Sequence, residues 1–236
     1  MRTIVMATLL PLAACGNFAQ DDTPGVQASG SGSSRTYQVA DFTAVELAGS
    51  DNVEVRVGPG FSVRAEGDPS ALDRLKITRE GDSLRVSRRN GTSTGRAQVF
   101  VTMPVIRGAD VGGSGNMMID RVQAEEFEGR IAGSGNLAIG QIAARETEFS
   151  IAGSGDISAA GTTGRLEVNI AGSGSVDAPR LSASSADISV AGSGDVQTIV
   201  KGPAEVKSLG SGDIDLGPGA RCSVSKMGSG QVRCGG

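Results

Sequence analysis

The sequence predicts an all-β chain built as a parallel β-solenoid of 18–20-residue coils, and three observations lead there. A Gly-Ser-Gly triplet recurs at near-constant spacing, apolar residues alternate on both sides of it, and large aromatic residues are scarce. The triplets stand at 113–115, 133–135, 153–155, 172–174, 192–194, 210–212 and 228–230, so successive copies are 20, 20, 19, 20, 18 and 18 residues apart. A fixed period of this kind marks a repeat architecture. It is too short for a four-stranded propeller blade of about 40 residues, and it lacks the leucine pattern of a leucine-rich repeat.

The flanks of the triplets have period two. Phe149 and Ile151 precede the third copy, and Ile157 and Ala159 follow it. Leu166, Val168 and Ile170 precede the fourth, followed by Val176 and Ala178. Ile188 and Val190 precede the fifth, and Val196 follows it. Alternation over a few residues on each side of a glycine turn reads as strand–turn–strand with one face inward. Each coil then has two short strands on facing sheets, a tight corner at the triplet and a second, looser corner. The turn-forming pairs are Gly113 and Gly115, Gly133 and Gly135, Gly153 and Gly155, Gly172 and Gly174, Gly192 and Gly194, Gly210 and Gly212, and Gly228 and Gly230. Glycine suits them because it tolerates positive φ and close backbone approach. A single coil cannot repay the entropy of ordering itself, so the coils must stack.

The chain has 36 glycines, no histidine, no tryptophan and one tyrosine among 236 residues. Such a core must be thin and filled by Val, Ile, Leu and Ala. The formal charge of −4 includes no basic stripe, which argues against nucleic acid as a partner.

The N-terminus reads as an export signal. Arg2 precedes an apolar run from Ile4 to Leu12, and Leu12-Ala13-Ala14-Cys15 matches a bacterial lipobox. Residues 1–14 are therefore expected to be a lipoprotein signal peptide, with Cys15 the lipidated residue (palmitate-bearing). The apolar run is too short to span a bilayer, which takes about 20 residues. Residues 15–35, rich in Gly, Ser and Asp, read as a lipid-anchored flexible linker. Gly16 rather than Asp after the cysteine favours the outer membrane over the inner one, by analogy with enterobacterial sorting.

Residues 36–236 are expected to form one continuous solenoid domain. Its first part is less repetitive but strand-like, with Val53, Val55 and Val57, then Leu84 and Val86, then Val99 and Val101 in alternation. Asp68 to Asp73 suits one helical turn, Asn90 to Gly95 a loop, and Gly49-Ser50-Asp51-Asn52 is a degenerate copy of the triplet. In the last two copies Ser208 and Lys226 replace the inward Ile or Val, and Leu209 and Met227 replace Ala. A register change near a capping end is expected there.

The segments Phe42 to Ser50, Val53 to Gly58, Gly81 to Val86 and Val99 to Pro104, followed by the triplet array, resemble the bacterial "putative auto-transporter adhesin, head GIN domain" family. The resemblance covers about 200 residues. It implies a right-handed two-sheet superhelix similar in shape to pectin-lyase-type solenoids, a role in adhesion, and no family-wide catalytic residues. Nothing after the repeats could form the β-barrel translocator of an autotransporter, so Cys15 would be this chain's own route to the membrane.

The chemistry is sparse. Without histidine there are no His-based triads, His-ligated zinc sites or imidazole bases. The residue after each triplet is Asn116, Asn136, Asp156, Ser175, Asp195, Asp213 or Gln231. Calcium needs six to eight oxygens, and this mixture suits side chains that close the corner onto backbone N–H groups better. Lyase chemistry would need clustered carboxylates and a basic residue on one exposed sheet; the candidates Glu125, Glu126, Glu128 and Arg130 sit in one segment with no equivalent in neighbouring coils and read as a solvated charged edge. Cys222 and Cys234 both fall on inward positions of the last coil and are a candidate disulfide, structural in role. No cofactor or metal is indicated.

The reading is a non-enzymatic cell-envelope lipoprotein that presents a β-solenoid for binding or adhesion, facing the periplasm or the surface. The expected partners are the membrane, through the lipid anchor, and a protein or polysaccharide ligand; a second copy of the chain is a further candidate. The alternatives are a periplasmic structural or stress-related envelope protein and a polysaccharide-binding or lyase-like solenoid.

Overall fold

The computed structural model describes residues 24–91 and 95–235. The signal segment and the lipidation candidate Cys15 lie outside the described residues. The body opens with β1 (Ala28–Ser29) and β2 (Ser34–Tyr37), then β3 (Ala44–Gly49) and β4 (Asn52–Val57) on either side of Gly49-Ser50-Asp51. Next come β5 (Ser62–Gly67), the helical turn α1 (Pro69–Leu72), β6 (Leu75–Glu80), β7 (Ser83–Arg88) and β8 (Ala97–Met103). The repeats supply β9 (Gly108–Gly113), β10 (Asn116–Ile119), β11 (Val122–Gly133), β12 (Asn136–Gly153), β13 (Ile157–Gly172) and β14 (Val176–Gly192). The chain finishes with β15 (Val196–Val200), β16 (Pro203–Gly210), β17 (Ile214–Asp215), β18 (Arg221–Gly228) and β19 (Val232–Arg233).

These strands stack as a β-solenoid. One parallel ladder holds the residues before each corner, aligning Leu47, Val111, Ile131, Ile151, Ile170 and Val190. A second aligns Val53, Met117, Leu137, Ile157, Val176 and Val196 after it. All twelve of these side chains are buried. The alternation read from the sequence thus points every second residue into a core shared by neighbouring coils, the arrangement that lets stacking repay chain entropy. The looser corner is itself paired: Val122–Ala124, Ile142–Ala144 and Thr162–Thr163 follow one another in a short third run, with a register shift between Ile139 and Ile142.

The degenerate copy is a full member of the stack. Strand β9 pairs with β3 and β10 with β4, so residues 58–107 are inserted between the first coil and the second. The insertion folds over the first coil as a lid. On one ladder β7 pairs with β3 and is followed by antiparallel β6; on the other, β8 pairs with β4, followed by antiparallel β5, β2 and β1. Helix α1 lies in this lid. Asp68 caps it by accepting from the Ser70 N–H at 2.8 Å, with Pro69 in the first turn, where a missing N–H costs nothing. Residues 28–29 and 34–35, read from composition as tether, pair as strands with the lid.

The register expectation for the last coils needs correction. Val190 pairs with Ser208, Ala191 with Leu209 and Gly192 with Gly210, so no slip occurs. The glycine corners leave no slack for one, and the unusual residues keep the orientations of those they replace. Ser208 is buried with its hydroxyl unpaired, and Leu209 faces outward, 56% exposed. In β18, the end strand among the described residues, the inward Val224 is 48% exposed because no coil covers it. The Lys226 Nζ reaches across this open end to the Gly230 carbonyl at 2.6 Å. Cys222 and Cys234 are joined in a disulfide with Cα atoms 6.0 Å apart, tying β18 to the segment after β19.

Candidate binding face

The tight corners make a sharp edge. Ser134 and Gly135 N–H both donate to the Gly113 carbonyl of the preceding coil at 2.9 Å, Ser154 with Gly155 and Ser173 with Gly174 repeat this on Gly133 and Gly153, and Ser193 and Ser211 donate singly to Gly172 and Gly192. This close stacking leaves no room for side chains. A Cβ at Gly155 would lie 1.9 Å from the Gly135 oxygen, and one at Gly133 (φ +143°) would lie 2.3 Å from the Gly113 oxygen. The other turn glycines named above occupy equivalent places in the same two columns. In the first coil the third position is Asp51, since no earlier triplet lies beneath it. Between the glycines runs a column of exposed hydroxyls at Ser114, Ser134, Ser154, Ser173, Ser193, Ser211 and Ser229. Among the described residues none hydrogen-bonds to a carboxylate or an amine that could activate it.

The polar residue after each triplet acts between coils. Asn136 Oδ1 accepts from the Asp156 N–H at 3.1 Å, and Asp156 Oδ1 from the Ser175 N–H at 2.9 Å. Ser175 Oγ takes the Asp195 N–H at 3.2 Å, Asp195 Oδ1 the Asp213 N–H at 2.7 Å, and Asp213 Oδ1 the Gln231 N–H at 2.8 Å. Sequence reasoning expected each side chain to close its own corner. Instead each carries the hydrogen bonding on to the next coil, and a single acceptor oxygen meets that need, which is why Asn, Asp and Ser interchange. Asp213→Asn should therefore leave the denaturation midpoint almost unchanged, whereas Asp213→Ala should cost about 1 kcal/mol or more in the last coils. Equal effects of the two substitutions would contradict this account. No group of three or more metal-ligating side chains occurs among the described residues.

The outward side of the pre-corner ladder carries three further columns. Nearest the edge, Ala132, Ala152, Ala171 and Ala191 form the floor of an open groove of about 590 Å³, flanked by Asp110, Arg130, Ser150, Asn169 and Ser189. Beyond these, Glu128, Glu148, Glu167, Asp187 and Glu205 stack one above another. Sequence reasoning saw Glu128 in one segment only, but adding the triplet spacings to it lands on each of the other four. The residue two places on partners each glutamate. Arg130 is salt-bridged to Glu128, Ser150 Oγ donates to Glu148 at 3.2 Å, Asn169 Nδ2 to Glu167 at 3.1 Å, and Lys207 Nζ lies 2.8 Å from Glu205. Glu125 and Glu126 lie at the outer margin, 3.3 and 2.8 Å from Arg145. The opposite sheet bears a smaller groove of about 370 Å³ beside the exposed Met118.

Burial raises the Asp110 and Glu128 carboxyls above their ordinary values, and Arg130 offsets only part of that. At the far end the Lys207 hydrogen bond holds Glu205 below its ordinary value. A carboxyl raised in the folded state binds more protons folded than unfolded, so stability falls as pH rises between the two values. Asp110→Asn should flatten that decline, read as the thermal midpoint against pH from about 4 upward. A slope unchanged by the substitution would show that the burial has no energetic weight.

Fold and face together define a β-solenoid scaffold with a repetitive outer surface and no assembled catalytic group among the described residues. The chain belongs to the "putative auto-transporter adhesin, head GIN domain" family, whose model matches residues 41–235. Solved structures share the fold. A "putative adhesin" from Bacteroides fragilis is 20% identical, with 89% of this chain and 99% of that one covered and a TM-score of 0.79. A "putative lipid binding protein" from Parabacteroides distasonis is 22% identical, covering 87% and 97% with a TM-score of 0.68. A "putative adhesin" from the same species is 19% identical, covering 88% and 98% with a TM-score of 0.69. No curated protein matches the chain. Among the described residues no helix is long and apolar enough to cross a membrane.

Proposed function

We propose that this protein is a non-enzymatic, lipid-anchored envelope protein of the outer membrane that binds an elongated ligand along the alanine-floored groove. The observation that carries this is the shape of the groove. It crosses successive coils, so it offers the same small apolar floor and polar flank every 4.7–4.9 Å. A repeating surface suits a repeating or extended ligand, a polysaccharide or a protein strand, better than a compact metabolite. The apolar floor with few polar groups also suits an acyl chain, the second reading, which the lipid-binding description of one structural neighbour supports.

The anchor is tested by metabolic lipid labelling of wild type and Cys15→Ala, with protease shaving of intact cells. Label that depends on Cys15, with the body shaved from whole cells, fits a surface binder; label with full protection moves the ligand search to the periplasm. The groove is tested with Ala152→Arg and Ala171→Arg, which fill an outward, solvated floor. Cell adhesion or polysaccharide retention should drop while the thermal midpoint stays put. Unchanged retention would remove the groove from the binding reading.

A further inference from the structure

The insertion that lids the first coil carries a second recess, away from the groove. It holds about 300 Å³ and lies between residues 25–28, α1 and the start of β6. Its walls include Arg35, Tyr37, Leu72, Asp73 and Arg89. Arg35 is fixed there by bonds to the Gly32 and Ser34 carbonyls, and its Nη2 meets Asp73 Oδ1 at 2.7 Å. Arg89 Nη1 donates to the Asp73 carbonyl at 3.1 Å, and its Nη2 lies near Gly25. Tyr37 is 3% exposed, yet its hydroxyl has no hydrogen-bond partner. A buried donor without an acceptor is costly and calls for an explanation.

Charge points the same way. Residues 24–107 carry eleven Lys and Arg against nine Asp and Glu, whereas residues 108–236 carry ten against fifteen. The lid is thus the positive end of an otherwise acidic solenoid. It is also the end at which the described chain begins. Eight residues lie between Cys15 and Pro24, a span of at most about 30 Å when extended, so an anchor at Cys15 keeps this end beside the bilayer.

We propose that the lid recess is a phosphate-binding site in which Arg89, Arg35 and the Tyr37 hydroxyl take the phosphate of an anionic lipid headgroup. The lipid source rests on the anchor reading; the phosphate chemistry does not. Two guanidiniums outweigh the single Asp73 carboxylate, which already serves Arg35 on the rim and is largely exposed. Guanidinium groups suit phosphate oxygens in charge and geometry. The phenol supplies a neutral donor at the back of the recess, and a small shift of the 25–28 wall, pinned by the Val26 N–H to the Ile77 carbonyl, would bring it within reach.

The chain supplies its own reporter. Tyr37 is the only tyrosine and there is no tryptophan, so ultraviolet-excited tyrosine emission reports this recess alone. Full-length chain, wild type and Cys15→Ala, is titrated with phosphatidylglycerol vesicles, phosphatidylcholine vesicles and inorganic phosphate. Saturable change with phosphatidylglycerol only, in both forms, is the expected result. Arg89→Gln, an exposed and structurally mild change, should raise the half-saturation point about tenfold or more. A response to inorganic phosphate without one to vesicles keeps the phosphate site and overturns the lipid source. Vesicle co-sedimentation with no change in Tyr37, or a response indifferent to Arg89→Gln, overturns the site and leaves the anchor standing. A Tyr37 response in a chain with no Cys15-dependent lipid label keeps the site and removes the anchor.

Discussion

Gly155→Ala should destroy the cooperative fold of the central coils, at a cost above about 4 kcal/mol, the range reached only by severe core or backbone lesions. The added methyl group would sit 1.9 Å from the Gly135 oxygen and 2.9 Å from Ile131 Cγ2. Neither neighbour can give way. The carbonyl belongs to a corner held to the coil below by the Gly135 N–H on the Gly113 carbonyl at 2.9 Å, and the isoleucine is packed in the core. Separating the coils to make room would break pairings on both sides, and in a stacked array that divides one folding unit into two. Gly112→Ala is the matched control. Its nearest neighbour would be the Leu47 oxygen at 3.7 Å, and later coils carry alanine at this place, so a gain of a few tenths to about 1 kcal/mol is expected. Urea titration followed by far-ultraviolet circular dichroism measures both. A two-state transition retained by Gly155→Ala would show that the corner is far more compliant than its packing implies.

Arg88→Met should cost about 3–5 kcal/mol, the penalty for stranding a buried charge. Asp51 is 1% exposed. It accepts from Arg88 Nε and Nη2, one edge of the guanidinium, and from the Ala97 N–H at 2.7 Å, while Arg88 also donates to the Gly95 carbonyl at 2.7 Å. This network ties β7 and β8, and so both halves of the lid, to the first corner. The Asp51 hydrogen bond holds the Arg88 guanidinium charged, raising its pKa further. Adding Asp51→Gly to Arg88→Met removes the stranded carboxylate and should recover most of the loss, at the expense of a looser lid. Hydrogen exchange over residues 44–57 separates the two variants. If the double variant is no more stable than Arg88→Met, the cost lies in lost packing of the arginine stem.

The glycine corners were legible because sterics dictate their identity: a position pressed against the carbonyl of the coil below admits no other residue, so periodicity appears in the letters themselves. The inward alternation was legible for a similar reason, since a narrow core discriminates against polar side chains. The outer columns were harder to read. Glu128, Glu148, Glu167, Asp187 and Glu205 meet only in the stacked coil, and their selection is loose enough for Asp to replace Glu. The polar ladder was recognised as hydrogen-bonding, but its direction was not, because an Asx turn within a coil and a link between coils demand the same residue types. The lid recess left no sequence signal. Arg35 and Tyr37 lie on β2 and Arg89 just past β7, far apart in sequence, and only the folding of the insertion over the first coil brings them together.

A stack of parallel coils has no intrinsic length: its last layer offers the next one the same bare amides, carbonyls and apolar tips that it used itself. That is the geometry by which cross-β fibrils recruit monomers. At one end of this protein the lid turns the ladders aside into antiparallel strands. At the other, Lys226 lies across the opening where every coil through Val190 has an aliphatic side chain, and any layer placed on top would have to bury its ammonium. By that physics a lysine at this place works against templating a further layer.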